Sequence, residues 1–407
     1  MVGNLAIEIM NKIIKNIFFT LTIVLFFISC QEENMLKPLE SNGTPPGKVT
    51  NVMVENKRGG AILTYGLPSD DDLSYIKAEY VLPSGATRTV KASYYTNQMT
   101  VDGFSQPGEY TIKLYAVNRS EAVSDPIEVK VYPEESPIWD IYRSLEVKPS
   151  FGGIQVTAEN EDRANIAILI MEQNEYGEWI ADPNSVYTST DKIKASMRGM
   201  DTTAREFAFV IRDRWLNYTD TLFATINPLF ETVIPKSGYR GFRLPGDALS
   251  HTSTSHAGMW DGNFIDWPSI YMTQAAISGP HYTTVDLGIM ANLSRLVIWD
   301  YPEYYNGRSY YYKGNLKEFE IWGSDNPPSD GSWNNWYLLG SYVATKPSGL
   351  PFGQQSDEDY QTANSGLSWE FDIDAPKVRY IRIKSTKNWD GSSYMAIAEI
   401  LAYGDPR

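Results

Sequence analysis

The stretch GEYTIKLYAVNRSEAVSDPIEVKVYP, residues 108–133, decides how the chain is built. Tyr110, Ile112, Leu114 and Ala116 fall on alternate positions, with Thr111, Lys113 and Tyr115 between them. A period of two puts the first set on one face of a β-strand and the second set on the other. After a polar turn, Ile127, Val129 and Val131 alternate again, so the stretch reads as two strands. Upstream, GGAILTYGLP (59–68) places Ala61, Leu63, Tyr65 and Leu67 on one face, and the turn signals PSDDD, PSG and SQPG separate the runs. No part of 48–133 has a helical period, which predicts a small antiparallel sandwich.

The same plan recurs over 138–227. GGIQVTAEN (152–160) echoes GGAILTYGLP, and ANIAILIMEQNEYGEW (164–179) echoes SYIKAEYVLPSG (74–85). REFAFVIRDRWLNYTDTLFATINP (205–228) echoes the opening stretch. In each unit a Gly-Gly precedes the second strand, and a Ser-Asp or Thr-Asp pair precedes the last. This is a tandem repeat of one sandwich. The motif order resembles that of fibronectin type III domains, a fold of the immunoglobulin-like kind. Both units read as spacers.

Residues 228–407 are longer, richer in Trp and Tyr, and still all-β. LSWEFDIDAP (367–376) alternates, with Leu367, Trp369, Phe371 and Ile373 inward and Ser368, Glu370 and Asp372 outward. A length of this order suits one eight-stranded jelly-roll sandwich with long loops. MWDGNFIDWPS (259–269), TTVDLG (283–288), LVIWDYP (296–302), LKEFEIWGSDN (316–326), VRYIRIKS (378–385) and MAIAEILAYG (395–404) occur in the order of a discoidin domain. The last 175 or so residues therefore resemble the discoidin, or coagulation-factor type C, family, a galactose-binding-like fold that includes many carbohydrate-binding modules. The expected fold is all-β: two tandem fibronectin III/Ig-like sandwiches followed by a discoidin-like jelly-roll sandwich. That architecture also resembles the multidomain surface lipoproteins of starch-utilisation-like glycan uptake systems.

Glu399 lies in the last of these motifs among Met395, Ile397 and Leu401, and a carboxylate on an apolar face needs a partner or a metal. Asp261, Asn263 and Asp266 form a cluster of hard oxygen donors in a tight turn, which suits calcium. The resemblance implies that this turn and the glutamate of the last strand share a structural calcium, so Asp261, Asn263, Asp266 and Glu399 are the candidate ligands. Asp266 stands where the family usually has Thr, and Trp267 follows it directly. The alternative is a salt bridge from Glu399 to an arginine. The resemblance also implies a buried tryptophan at Trp267.

YPEYYNGRSYYYKGN (301–315) connects two of the expected strands and holds six tyrosines. Rings on a loop above a rigid sandwich form a platform for the C–H faces of sugars, while Arg308 offers fixed donors to the hydroxyl rim. Tyr301 and Tyr312 adjoin strands and read as structural. Tyr304, Tyr305, Arg308, Tyr310 and Tyr311 are the ligand candidates, joined by the loop rings Trp260, Trp336 and Trp389. Docking of a protein is the rival use of the same rings.

MNKIIKNIFFTLTIVLFFISC (10–30) has a basic start, an apolar run at 17–28 and the single cysteine, Cys30. It resembles a bacterial lipoprotein signal over 1–30, with Cys30 as the lipidated residue and QEEN after it resembling a surface-export signal. Residues 31–47 read as a flexible tether. The expected address is the outer membrane, lipid-anchored and facing the exterior. The net charge of −15 and the lack of a basic cluster argue against nucleic acid. No GxSxG, P-loop, GxGxxG or HExxH pattern is present, and His251 and His256 are spaced by five. SDEDYQ (356–361) reads as a solvated loop. The sequence therefore points to a non-enzymatic surface lipoprotein that binds a polysaccharide or oligosaccharide, beside outer-membrane glycan transporter components. An adhesion or scaffolding lipoprotein is the alternative, and a glycoside hydrolase or lyase a more distant one.

Overall fold

The structure, a computed structural model, describes residues 43–276, 278–305 and 307–407. Cys30, the signal segment and most of the tether lie outside the described residues.

The alternating pattern becomes three β-sandwiches. In the first, a three-stranded sheet (Thr50–Lys57, Gly60–Gly66, Gln98–Asp102) faces a four-stranded one (Thr87–Ser93, Leu73–Val81, Tyr110–Asn118, Ile127–Val131). Leu63, Ile76, Ile112 and Leu114 from both sheets are fully buried between them, as the period of two requires. The second repeats this with Glu146–Ser150, Gly153–Glu159 and Lys192–Met197 facing the sheet of Trp179–Ala181, Ile166–Gln173, Arg205–Asp213 and Leu222–Ile226. It differs in opening with a helix, Pro137–Arg143, which the sequence reading lacked. Pro137 starts the first turn, where its missing N–H costs nothing, and Ile138 and Ile141 plug the end of the core.

The third domain hangs on one long strand, His281–Asp300. Its first half pairs with Val378–Asn388 and its second half with Ala396–Asp405, so one strand serves both layers. The change of layer falls at Gly288, with φ +78°. A Cβ there would sit 2.5 Å from the Gly238 carbonyl oxygen, so only glycine fits. One layer continues through Leu316–Ser324 to Tyr337–Val343. The other includes Leu367–Glu370, paired with residues 295–298. Arg382 is fully buried, and its guanidinium holds Asp247 through two bonds of 2.6 and 2.9 Å.

Charged joints tie the domains together. Arg58 of the first sandwich reaches both Asp140 and Asp162 of the second. The Trp139 indole N–H donates to the Ser105 carbonyl at 3.0 Å, and the Asn217 amide to that of Gly103 at 2.9 Å. At the second joint Glu231 accepts from Arg198 (2.9 Å), from Arg295 (3.3 Å) and from the Ser294 hydroxyl. Glu370 takes Ser196 (2.8 Å) and the other side of Arg198 (3.0 Å).

These groups are mostly shielded, and removing Glu231 takes the carboxylate from two guanidinium groups, leaving, among the described residues, Arg295 without an anion and Arg198 with Glu370 alone. Glu231→Ala should cost about 2–4 kcal/mol and let the third domain unfold apart from the second. Calorimetry reads both effects; an unchanged melting profile would show that the joint does not couple the domains.

Candidate functional site

The segment 301–315 is more ordered than a plain loop. Glu303–Tyr304 pairs with Arg308–Ser309 to make a short hairpin, and Gly307 turns it at φ +99°. The hairpin sorts the tyrosines into two classes.

Tyr310 and Tyr311 are 3% exposed, which corrects their reading as ligand contacts. The Tyr310 N–H donates to Gln355 Oε1 at 2.8 Å, and its hydroxyl to Asn364 Oδ1 at 3.0 Å. Tyr311 sits edge-on to Trp389 at 5.3 Å, and burial pushes its hydroxyl pKa up to about 12. Both rings pack on Ala363 in the helix Asp357–Asn364. That helix replaces the solvated loop expected at SDEDYQ. Its start is a capping box: Ser356 Oγ accepts the Asp359 N–H, and the Asp359 carboxylate accepts the Ser356 N–H. Tyr301 is buried, in keeping with a structural role.

Tyr304 is 77% exposed and Tyr305 47%. The Arg308 guanidinium lies 5.8 Å from the Tyr304 ring centre, donates to the Pro302 carbonyl at 3.4 Å, and stands 3.8 Å from Asp266. Asp266 brings the loop 260–269 against the hairpin. That loop displays Trp267, 44% exposed, and Phe264. Trp267 is therefore not the core tryptophan expected; Ile270 is buried there in its stead. The Trp267 ring leans edge-on against His251 at 5.1 Å, and Phe264 against Trp299 at 5.2 Å. On the other side of the hairpin, Tyr305, Tyr312 and Phe352 form a ladder of rings at 5.1 and 4.8 Å with planes within 18°. Phe352, which the sequence reading missed, is held by an unusual anchor. Lys346 is buried, and its ammonium donates to the carbonyls of Leu350 (3.1 Å), Pro351 (3.0 Å) and Gln354 (2.7 Å), wrapping the loop around itself.

The three other tryptophan candidates pack rather than project. Trp260 lies half-buried against Tyr239 and the core, and Trp336 is buried beside Trp333 and Arg382. Trp389 donates to the Leu316 carbonyl at 3.2 Å. A ring at a loop position can bury itself under that loop, and residue type alone does not separate the two fates.

Each of the proposed metal ligands is engaged by a protein group. Glu399 is fully buried, with one oxygen on the Lys236 ammonium and the other accepting the Gly262 N–H at 3.0 Å. Its ion-pair partner is thus a lysine rather than an arginine. Asp261 accepts the Asn263 N–H (2.8 Å), and Asn263 Oδ1 accepts the N–H groups of Ile265 and Asp266 (3.1 and 2.9 Å). Among the described residues no three His, Cys, Asp or Glu side chains gather as a metal group. The three histidines also stay apart in role: His256 meets Thr283 at 3.1 Å, and His281 meets Thr273 at 2.7 Å.

Beneath the hairpin, Asp300 keeps a sliver of solvent contact but is enclosed by protein. Its Oδ1 accepts the Leu316 N–H at 3.1 Å. Burial pushes its carboxyl pKa up to about 8, against the pull of that N–H. Burial also raises Glu303, with Lys313 opposing.

Three domain families of unknown function match the chain: DUF4959 over 46–133, DUF5126 over 134–237 and DUF5000 over 260–404. No curated protein matches it. Among solved structures, a SusE-like protein is 29% identical with a TM-score of 0.43, covering 66% of this chain and 98% of that one. The second CBM32 of a GH31 protein, bound to GalNAc, is 14% identical with a TM-score of 0.27, over 40% of this chain and 94% of that one. A two-domain fibronectin type III segment from chicken tenascin is 13% identical with a TM-score of 0.20, over 44% of this chain and 99% of that one.

Asp300 predicts a pH dependence. Its folded pKa of about 8 lies above the ordinary value of about 3.9, so between those values the folded state keeps a proton that the unfolded chain has lost. Stability from this group therefore falls as pH rises from about 4 to about 8. Asp300→Asn keeps the acceptor for Leu316 and removes the titration. Its melting temperature should exceed the wild type's at pH 8, with a flatter profile between pH 5 and 8; parallel profiles would refute the buried titration.

Proposed function

We propose that this chain is a surface-exposed, lipid-anchored protein that captures polysaccharide through the rim of its third domain. Cys30 carries the lipid in the outer membrane. The two small sandwiches carry the rim outward, beside the components of a glycan transporter. The observation that carries the reading is the company kept by Arg308: Trp267, Tyr304, Tyr305, Phe264 and Phe352 all display ring surface on the two loops and the hairpin around it.

That arrangement suits a sugar. A pyranose ring has apolar C–H faces, which stack on aromatic faces, and a rim of hydroxyls, which accept from a guanidinium. Tyr and Trp lose little rotamer freedom when a ligand settles on them. The exposed rings are spread along the rim rather than sunk in one cavity, which favours a chain of sugars over a single residue. No residue of the rim is assigned a bond-breaking role: Asp266 is engaged with Arg308, and Asp300 lies enclosed beneath the hairpin.

Affinity electrophoresis of the purified protein against a panel of soluble polysaccharides tests the reading. One glycan class should retard the protein and be recovered intact. Trp267→Ala and Tyr304→Ala should each weaken retardation about tenfold, the scale of one ring contact, whereas Tyr310→Phe should leave it unchanged. If no glycan retards the protein, the rim is a protein-docking surface instead; released product would make it an enzyme.

A further inference from the structure

The position where the sequence suggests a calcium ion holds an ammonium group instead. We propose that Lys236 is a built-in cation of the third domain, neutralising the buried Glu399 in place of a divalent metal and making the shape of the adjoining rim loop independent of metal. The inference rests on the geometry around Glu399 and goes beyond the glycan-binding reading.

Glu399 has no exposure, and an ionised carboxylate without a counter-charge cannot be kept there cheaply. Its two oxygens are both engaged, one by Lys236 Nζ and one by the Gly262 N–H. A metal would have to evict the ammonium to reach it. The other oxygen donors nearby have turned to local tasks. Asp261 and Asn263 cap successive N–H groups of their own turn, and the Asn263 amide nitrogen faces Asp266 at 3.3 Å, which commits that carboxylate to a donor. The loop thus closes on itself with hydrogen bonds where a metal-bound loop would close on an ion.

Lys236 is held in place for this task. It begins a 3-10 turn, Lys236–Gly238, at the threshold of the domain. Gly238 packs so tightly on the Leu287 carbonyl that a Cβ would meet it at 2.9 Å. The next residue, Tyr239, is buried, and its hydroxyl accepts the Ala402 N–H at 3.0 Å. The lysine side chain is 32% exposed, so its stem enters from the surface and its head reaches the carboxylate inside. The pair joins three separate segments: this turn, the start of loop 260–269, and the last strand. Through Gly262 it fixes the loop that displays Phe264 and Trp267.

The test is metal binding and melting temperature of the full chain, with Ca²⁺ and with Tb³⁺ as a luminescent probe. The wild type should melt at the same temperature in Ca²⁺ and in EDTA and should not sensitise Tb³⁺ at this site. Lys236→Ala should melt about 10 °C lower in EDTA, as expected for one buried partner left without its counter-charge. Ca²⁺ should then restore most of that loss, with a saturable Tb³⁺ signal that Glu399→Gln abolishes. The double variant Lys236→Met with Glu399→Gln, in which neither charge remains, should fold and ignore metal. Saturable one-to-one Ca²⁺ binding by the wild type with a raised melting temperature would overturn the proposal. So would failure of Ca²⁺ to restore Lys236→Ala, because the lysine would then be only an ion-pair partner and not a stand-in for metal. Should Lys236→Ala not fold, the wild-type comparison alone still decides whether the domain takes up a metal.

Discussion

A long loop can leave a sandwich only if its backbone polar groups find partners, and that constraint shapes the rim of the third domain. The two layers bond their own strands, but the segments 260–269, 301–315 and 345–356 have little ladder to join. Each is instead closed on a side chain. Lys346 collects three carbonyls, the Asn315 amide donates to the Tyr301 carbonyl at 2.7 Å, and Gln355 bonds both the Tyr310 N–H and the Arg308 carbonyl. The carboxylate of Asp359 accepts from Ser348 and Ser356, and Glu399 from Gly262. Each anchor is a group that burial would penalise if it stood alone, so the rim is well defined only where all of its bonds are made.

The same constraint divides the aromatic residues. Anchoring a loop needs something for the loop to rest on, and Tyr310, Tyr311 and Trp389 supply it beneath the hairpin. Once those rings are below, the remainder must project, so Tyr304 and Tyr305 are displayed because their neighbours are not. A segment so rich in tyrosine is thus a structure of two layers: the lower rings hold the hairpin and the upper rings are held out. The ladder of Tyr305, Tyr312 and Phe352 joins this hairpin to the Lys346 loop, so the two segments cannot move independently without separating stacked rings.

Strand periodicity was legible because it repeats. One residue in two faces a core, and a run of such positions leaves little choice, as Tyr110, Ile112, Leu114 and Ala116 show on the strand Tyr110–Asn118. The tandem plan and the all-β character of the third domain follow from that alone. What could not be read depends on contacts between distant segments. The helix at Asp357–Asn364 did carry its local signal, a serine three residues before an acid, but its acidity suggested solvent. The final strand misled in a different way: between Ile397 and Glu399 the pairing slips by a residue, so the core positions run Met395, Ile397, Ile400 and Ala402. A bulge of this kind breaks the count of two and is invisible without the partner strand. Lys236 lies 163 positions from Glu399, and nothing in either neighbourhood announces the other.

The joints between domains bear on the proposed capture of polymer by the rim. A protein that holds polymer away from a surface loses affinity to every degree of freedom it must freeze on binding. Here the first and second sandwiches are pinned by Arg58 across two carboxylates and by Asn217 on Gly103, and the second and third by Glu231 among three donors. Each of these contacts is polar and directional, and those of Asn217 and Glu231 are also shielded from water while the Arg58 pairs stay open to solvent; directional contacts fix an angle more firmly than an apolar patch of the same size, which can slide. The rings of the rim are stiff, their loops are closed on buried anchors, and the domain that bears them is fixed to the two before it. The rim is thus ordered in the folded chain, so under the proposed glycan reading stacking and hydroxyl contacts are free to appear as affinity.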